Sequence, residues 1–225
     1  MKKIVLANWK VNFSPERAIQ WCESFATAYQ PQSGVEVVFA VPAFYLERIY
    51  EVTRNFVGIS LASQGVSSYP QGSYTGSLPA AWLRGRVRYT LIGHRERRRY
   101  FHESVQDVAR QAYESLAEEL QPIVCVDQGL LVQQAAAMAV EEQNKLIWAY
   151  TPETPASLEM ARGLEDISAT AALFAQRTNN RPVLYGGGVT VANGREICLL
   201  PGIAGIMLGQ GCLDAKAFAG LIKQL

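Results

Sequence analysis

The chain has 225 residues, 49% of them hydrophobic and 18% charged, with a net charge of +1. That length suits one large domain with a sizeable core, and the near-neutral balance offers no global field for nucleic acid or an anionic membrane, so local charge must hold any anion. No apolar run is long enough to span a bilayer, the N-terminus lacks the long apolar segment of a signal peptide, and Cys22, Cys125, Cys198 and Cys212 form no metal or redox pattern, so a cytoplasmic protein with reduced thiols is expected.

Ile4 to Trp9 is an apolar, β-prone run. Ser14-Pro15-Glu16 is a good helix start, and a helical pattern continues to about Tyr29. Val35 to Val41 is continuously apolar, which implies a strand covered on both faces, and Pro42 ends it. A helix follows over about Tyr45 to Arg54, and Gly58 to Ser63 makes a third strand. After a polar loop containing Ser73-Tyr74-Thr75-Gly76 come a strand at 89 to 93, a helix over 104 to 120, a strand from Pro122 to Val126 and a helix near 130 to 143. A strand from Leu146 to Tyr150, a helix near 157 to 176, and strands at 182 to 186 and 204 to 208, each with a helical stretch after it, complete eight strand–helix units. Eight such units in a single domain over 1–225, with no interdomain linker, favour a closed parallel (β/α)8 barrel over an open doubly wound sheet. In such a barrel the chemistry sits at the C-terminal ends of the strands.

The polar residues of interest fall at those ends. His94 closes Tyr89-Thr90-Leu91-Ile92-Gly93-His94 and precedes a charged, helix-compatible run. A histidine there meets unpaired backbone N–H groups and the positive end of a helix dipole, which favour the neutral ring over the cation. A neutral imidazole can donate a hydrogen bond to a substrate oxygen and polarise a carbonyl. Taken alone, a single histidine is more often structural; its company decides. Lys10 follows the first strand, with Asn8 two residues before it. Gly186-Gly187-Gly188 closes a late strand and Gly209-Gln210-Gly211 the last, where backbone N–H groups can face a phosphate. Arg97 is expected to pair with acidic groups inside the barrel mouth, Arg98 and Arg99 to form a solvated helix edge, and His102 to be structural.

Taken together and in this order, Asn8-Trp9-Lys10, Tyr74-Thr75-Gly76, Ile92-Gly93-His94 with Glu96-Arg97-Arg98, Tyr185-Gly186-Gly187-Gly188-Val189 and Leu208-Gly209-Gln210-Gly211 resemble the triosephosphate isomerase family, from about residue 4 to the C-terminus. The resemblance implies a TIM barrel and an aldose–ketose isomerase acting on glyceraldehyde 3-phosphate, dihydroxyacetone phosphate or a close sugar phosphate, with no metal and no organic cofactor. By the same resemblance, Lys10 stabilises charge, His94 is the electrophile and Glu96 is a supporting acid near Lys10. Asn8 and the amides of Gly187, Gly188, Gly209 and Gln210 hold the substrate. The loop around Thr75 resembles the segment that family dimers insert into a neighbouring subunit, so a homodimer is expected.

Two departures stand out. The family places its proton-abstracting glutamate directly after an Ala-Tyr pair; here Ala149-Tyr150 is followed by Thr151-Pro152, and a threonine hydroxyl cannot serve as that base near neutral pH. Glu153 is the nearest carboxylate and the candidate base if Thr151-Pro152 acts as a small insertion, though it is displaced by two residues, or several ångström along an extended chain. The chain then runs through Glu153-Thr154-Pro155-Ala156-Ser157 almost directly towards a helix, so the glycine-bearing lid is missing or very short and closure over the phosphate is weakened. Arg95 stands where the family usually has serine, Gly188 where it often has serine, and Gln210 where it often has glycine. The alternative reading is therefore a paralogue that binds a phosphorylated metabolite without the isomerase step, or acts on a larger phosphorylated substrate.

Overall fold

The computed structural model describes residues 2–152 and 163–225. Among these residues, eight strands alternate with helices. The strands are β1 (Lys3–Asn8), β2 (Val35–Val41), β3 (Ile59–Ser63), β4 (Tyr89–Ile92), β5 (Gln121–Val126), β6 (Ile147–Tyr150), β7 (Val183–Tyr185) and β8 (Ile203–Leu208). Between and after them, among the described residues, lie α1 (Pro15–Ala28), α2 (Leu46–Thr53), α3 (Arg95–Phe101), α4 (Val105–Ala117), α5 (Leu131–Ala136), α6 (Val140–Gln143), α7 (Leu164–Arg177), α8 (Gly194–Leu199) and α9 (Ala215–Ile222). Each strand pairs in parallel with the next, and β8 pairs with β1, so the sheet closes into a TIM barrel as the sequence predicts.

The near-continuous hydrophobicity of the strands has its reason in two separate cores. Residues such as Ile4, Leu6, Val38, Leu91, Ile123 and Leu184 fill the barrel interior, while their neighbours Val5, Ala7, Val37, Ile92 and Val124 pack outward under the helices. The outer layer is densest beside α1, where Trp9, Trp21, Phe25 and Phe39 meet edge to face and stacked at 4.9 to 5.6 Å between ring centroids. The closing seam is tight. A Cβ on Gly205 of β8 would lie 1.9 Å from the Ile4 carbonyl oxygen, so only glycine lets the last strand reach the first.

Local rules set the boundaries. Ser14 caps α1 ahead of Pro15, and Ser104 and Asp107 form a reciprocal capping box at the start of α4. The helix expected near 130 to 143 is two pieces, α5 and α6, with Ala139 extended between them. The Gln143 amide donates to the Ala135 and Met138 carbonyls that the break releases. The helix expected near 157 to 176 is described from Leu164 onward; its anticipated start, and the short sixth loop with Glu153, lie outside the described residues.

Candidate active site

Side chains alternate in and out along each strand, and continuing that alternation past the interior core puts a polar ring at the C-terminal rim. After Ile4 and Leu6 the inward positions of the first strand are Asn8 and then Lys10; after Ala62 comes Gln64; after Ala149, Thr151; after Leu184, Gly186; and after Met207, Gly209. The sequence-predicted residues thus gather at one end because the strands are parallel and begin at one level.

Lys10 is fixed from several directions. Its backbone is left-handed, with φ of 50°, a conformation that a lysine holds only when its surroundings insist on it. The Lys10 N–H donates to Asn8 Oδ1 at 3.1 Å. The Gln64 side chain donates to the carbonyls of both Lys10 and Ala40 at 2.9 Å. The ammonium donates to Glu96 Oε1 at 2.5 Å. A Cβ placed on Gly209 would sit 3.8 Å from Lys10 Nζ, so the turn after β8 lies directly beside the cation.

His94 occupies the N-cap of α3. The Glu96 N–H donates to its Nδ1 at 3.3 Å, so the ring proton sits on Nε2. The ring is 9% exposed, and burial pushes its pKa down from the usual value to about 4; Glu96 opposes the shift, while the charges of Lys10 and Arg95 add to it. Glu96 Oε2 also lies 3.5 Å from Nδ1, but that approach is an ion pair only for a protonated ring. Glu96 itself is held below the usual carboxylate range: burial alone would raise it, and the Lys10 hydrogen bond, with the neighbouring His94, Lys10 and Arg95, outweighs burial. The rim therefore presents a neutral N–H donor beside a cation whose counter-ion, Glu96, stands two residues after the histidine.

Further along α3, Arg97 donates through Nε and Nη2 to Glu103 Oε1 at 2.9 and 2.8 Å, the acidic pairing expected of it. The expectation of a solvated helix edge fails for Arg98. Its Nε donates to the Gly93 carbonyl at 2.8 Å, and its Nη2 to Gln134 Oε1 at 2.7 Å and to the Cys125 carbonyl at 3.3 Å. It folds back onto the ends of β4 and β5, where those carbonyls would otherwise lack partners. Arg99, by contrast, is exposed. His102 is structural in a definite sense: it adopts φ of 56° and caps α3 through its N–H to the Arg97 carbonyl.

On the opposite arc of the rim, Thr151 is 3% exposed and its N–H donates to the Val126 carbonyl at 3.0 Å. Gly186 was expected to offer an amide to phosphate, but its N–H is committed to the Tyr150 carbonyl at 2.9 Å as the β6–β7 ladder continues. Among the described residues, the amides of Gly187, Gly188, Gly209 and Gln210 have no backbone acceptor. Gly187 must be glycine for space, since a Cβ would lie 2.4 Å from Pro152 Cγ. A cleft of about 660 Å³ opens from Asn8, Lys10, His94 and Glu96 outward past Gln64, Tyr69 and Phe101.

Sequence reasoning missed Gln64 and Arg98. Gln64 carried a signal, as the first inward position beyond the apolar part of β3; Arg98, in a run of three arginines, carried none.

Comparison with known proteins agrees with this geometry. The family model described as triosephosphate isomerase matches residues 3–225. The chain is 30% identical over 245 residues to the triosephosphate isomerase of Deinococcus radiodurans, covering all of both chains. It is 31% identical over 246 residues to that of Delftia acidovorans, covering 98% of each. With that of Paracidovorax citrulli it shares 30% over 248 residues, covering 98% of this chain and 97% of the relative.

Proposed function

Since the chain belongs to the triosephosphate isomerase family of aldose–ketose isomerases, we propose that glyceraldehyde 3-phosphate and dihydroxyacetone phosphate, or a close sugar phosphate, interconvert at the rim where Lys10, His94 and Glu96 meet. The observation that carries this reading is the neutral imidazole beside the ammonium: Nε2–H of His94 donates to the substrate carbonyl, and Lys10 stabilises the negative charge that grows on the enediolate. A carboxylate removes the proton from the carbon next to the carbonyl, and the same proton equivalent returns to the adjacent carbon, so no oxidant and no cofactor is consumed. Glu153, beyond the described residues, is the base in this reading, and Glu96 fixes Lys10. Asn8 anchors the Lys10 backbone, and the amides of Gly187, Gly188, Gly209 and Gln210 face the phosphate.

A second reading rests on Thr151. If position 151 holds the family's glutamate slot, a buried hydroxyl there leaves the phosphate site intact and removes the base, and the protein binds a phosphorylated metabolite without turning it over. A steady-state assay with glyceraldehyde 3-phosphate decides. The first reading expects turnover in the natural protein and a fall of about 10²–10⁴-fold in Glu153→Gln. Turnover that appears only in Thr151→Glu overturns it in favour of the second.

We infer also that two chains pair through the loop around Thr75. That loop is exposed, Tyr69 and Tyr74 stack at 4.6 Å on its flank, and Val11, Phe44, Trp82 and Phe101 are 62% to 89% exposed. Exposed apolar side chains in that number, with Val11, Tyr69 and Phe101 lining the open cleft, suit cover by a second copy. Sedimentation of the natural protein beside Thr75→Arg reads the outcome: a dimer that dissociates in the variant supports pairing here, and a monomeric natural protein removes it.

A further inference from the structure

The opposite end of the barrel holds a second cavity, of about 290 Å³, lined by the residues that begin the strands. Three of them are cations, each brought by a different strand entry: Lys2 before β1, Arg88 before β4 and Arg181 before β7. One carboxylate, Glu36 on β2, faces the same space. It is 6% exposed and already satisfied: Ser60 Oγ donates to its Oε1 at 2.7 Å, and Arg88 Nη1 lies 3.2 and 3.4 Å from its two oxygens. Arg88 spends one nitrogen on that pair and lays its guanidinium over the Tyr89 ring, 5.3 Å from the centroid. Among the described residues, Lys2 and Arg181 have no ion-pair partner, and Glu36 is the only acid lining the cavity. A chain with a net charge of +1 has thus gathered an excess of two positive charges around one concave opening, with the Gln121 amide beside them.

We propose that this barrel floor is a binding site for a phosphate-class dianion, free or carried on a small metabolite, distinct from the rim. Glu36 is the organiser of the site: it holds the inner edge of the Arg88 guanidinium and leaves Nε and Nη2 to an anion. Lys2 and Arg181 close on the anion from the other side of the opening. The fork of Arg88 suits two phosphate oxygens, and the lysine supplies a point charge. The concave wall shields these contacts better than a flat surface of the same charge would.

The test is a titration of the natural protein with inorganic phosphate at low ionic strength, where such contacts are least screened, followed by amide NMR shifts with chloride at matched ionic strength as the control. Saturable shifts at Tyr89, Gln121 and Ala204 are expected, with binding about tenfold weaker in the double variant Lys2→Gln/Arg181→Gln, equivalent to about 1.4 kcal/mol. That variant spares the Arg88–Glu36 pair, and its melting curve reports whether the fold is kept. Lys2→Arg/Arg181→Lys, which keeps both charges, should retain most of the affinity. Floor shifts no larger than with chloride, or unchanged affinity in the folded double variant, overturn the proposal. Shifts at Gly187 and Gly209 report on the rim separately, so either site can fail without the other. A parallel titration with glycerol phosphate separates the sources: equal affinity identifies the free anion as sufficient, tighter binding identifies an ester.

Discussion

Lys10 and Glu96 stand 86 residues apart in the chain and touch at 2.5 Å, Nζ to Oε1, across the mouth of the barrel. Their side chains are 32% and 34% exposed, so as a stabilising ion pair they contribute little, on the order of 0–1 kcal/mol. What the contact supplies is position. It ties the cation at the exit of β1 to the residue whose N–H selects the tautomer of His94, so the two proposed polarising groups share one anchor.

Lys10→Met is therefore expected to lower kcat by about 10²–10³-fold, the usual consequence of losing one preorganised charge donor, while leaving the melting temperature nearly unchanged. Glu96→Gln keeps a hydrogen-bond acceptor for the ammonium but removes its counter-charge, and should reduce kcat less than Lys10→Met does. A larger loss in Glu96→Gln than in Lys10→Met, measured by steady-state kinetics, contradicts the positioning role.

The depressed pKa of His94 makes a statement about acid stability. The folded ring takes up a proton near pH 4, whereas in the unfolded chain it does so near 6.5. As pH falls the unfolded state is protonated first, so the contribution is complete above about pH 6.5, declines between 6.5 and 4, and is fully lost below, an amount of about 3 kcal/mol. Urea unfolding across that window should show a steeper fall for the natural protein than for His94→Gln, and the ring resonance should titrate near pH 4.

Arg98 ties the carbonyl just before the histidine to the end of β5. Replacing it by methionine strips partners from the carbonyls of Gly93 and Cys125 and from Gln134, and should cost about 2–4 kcal/mol on the scale of buried groups left unsatisfied. Its pocket is closed to a bulkier neighbour: a Cβ on Gly93, where φ is 65°, would lie 2.7 Å from Arg98 Nη2 and 2.9 Å from the Cys125 oxygen. Gly93→Ala should accordingly lower both stability and activity, with denaturant midpoint and kcat as the two readouts.

Gly187→Ala probes the phosphate side of the rim. The added methyl would meet Pro152 Cγ at 2.4 Å and the Tyr185 hydroxyl at 2.8 Å, which forces the exits of β6 and β7 apart at an overpacking cost of about 1–3 kcal/mol. KM for a triose phosphate should rise while the affinity of the barrel floor for inorganic phosphate stays the same.

The barrel was legible from the chain because each of its units carries a local signature, an apolar run, a cap or a proline, that needs no distant partner to be read. Asn8, Lys10, His94 and Glu96 were legible by likeness to a family pattern; strand alternation explains why Asn8 and Lys10 face inward, and the start of α3 brings His94 and Glu96 to them. What could not be read is long-range satisfaction. That Arg98 would turn inward depends on carbonyls at the ends of two other strands, and that Gly186 would give its amide to Tyr150 depends on how far the β6–β7 ladder extends. The split between α5 and α6 escaped for a similar reason, since the Gln143 side chain that mends it acts across the break.

The seam between β1 and β8 also bears on how the molecule is born. The first strand has one neighbour at hand once β2 exists, but its other edge must wait for residues 203 to 208, and so must Lys3, whose ammonium reaches the Ile203 carbonyl, and Trp21, whose indole N–H reaches the Cys212 carbonyl. A ribosome that has delivered nine-tenths of the message therefore still holds an unclosed curl with a bare hydrophobic edge. Translation of the last two dozen codons is what brings Gly209 beside Lys10, and a chain stopped short of them is fit for chaperones and proteases rather than for chemistry.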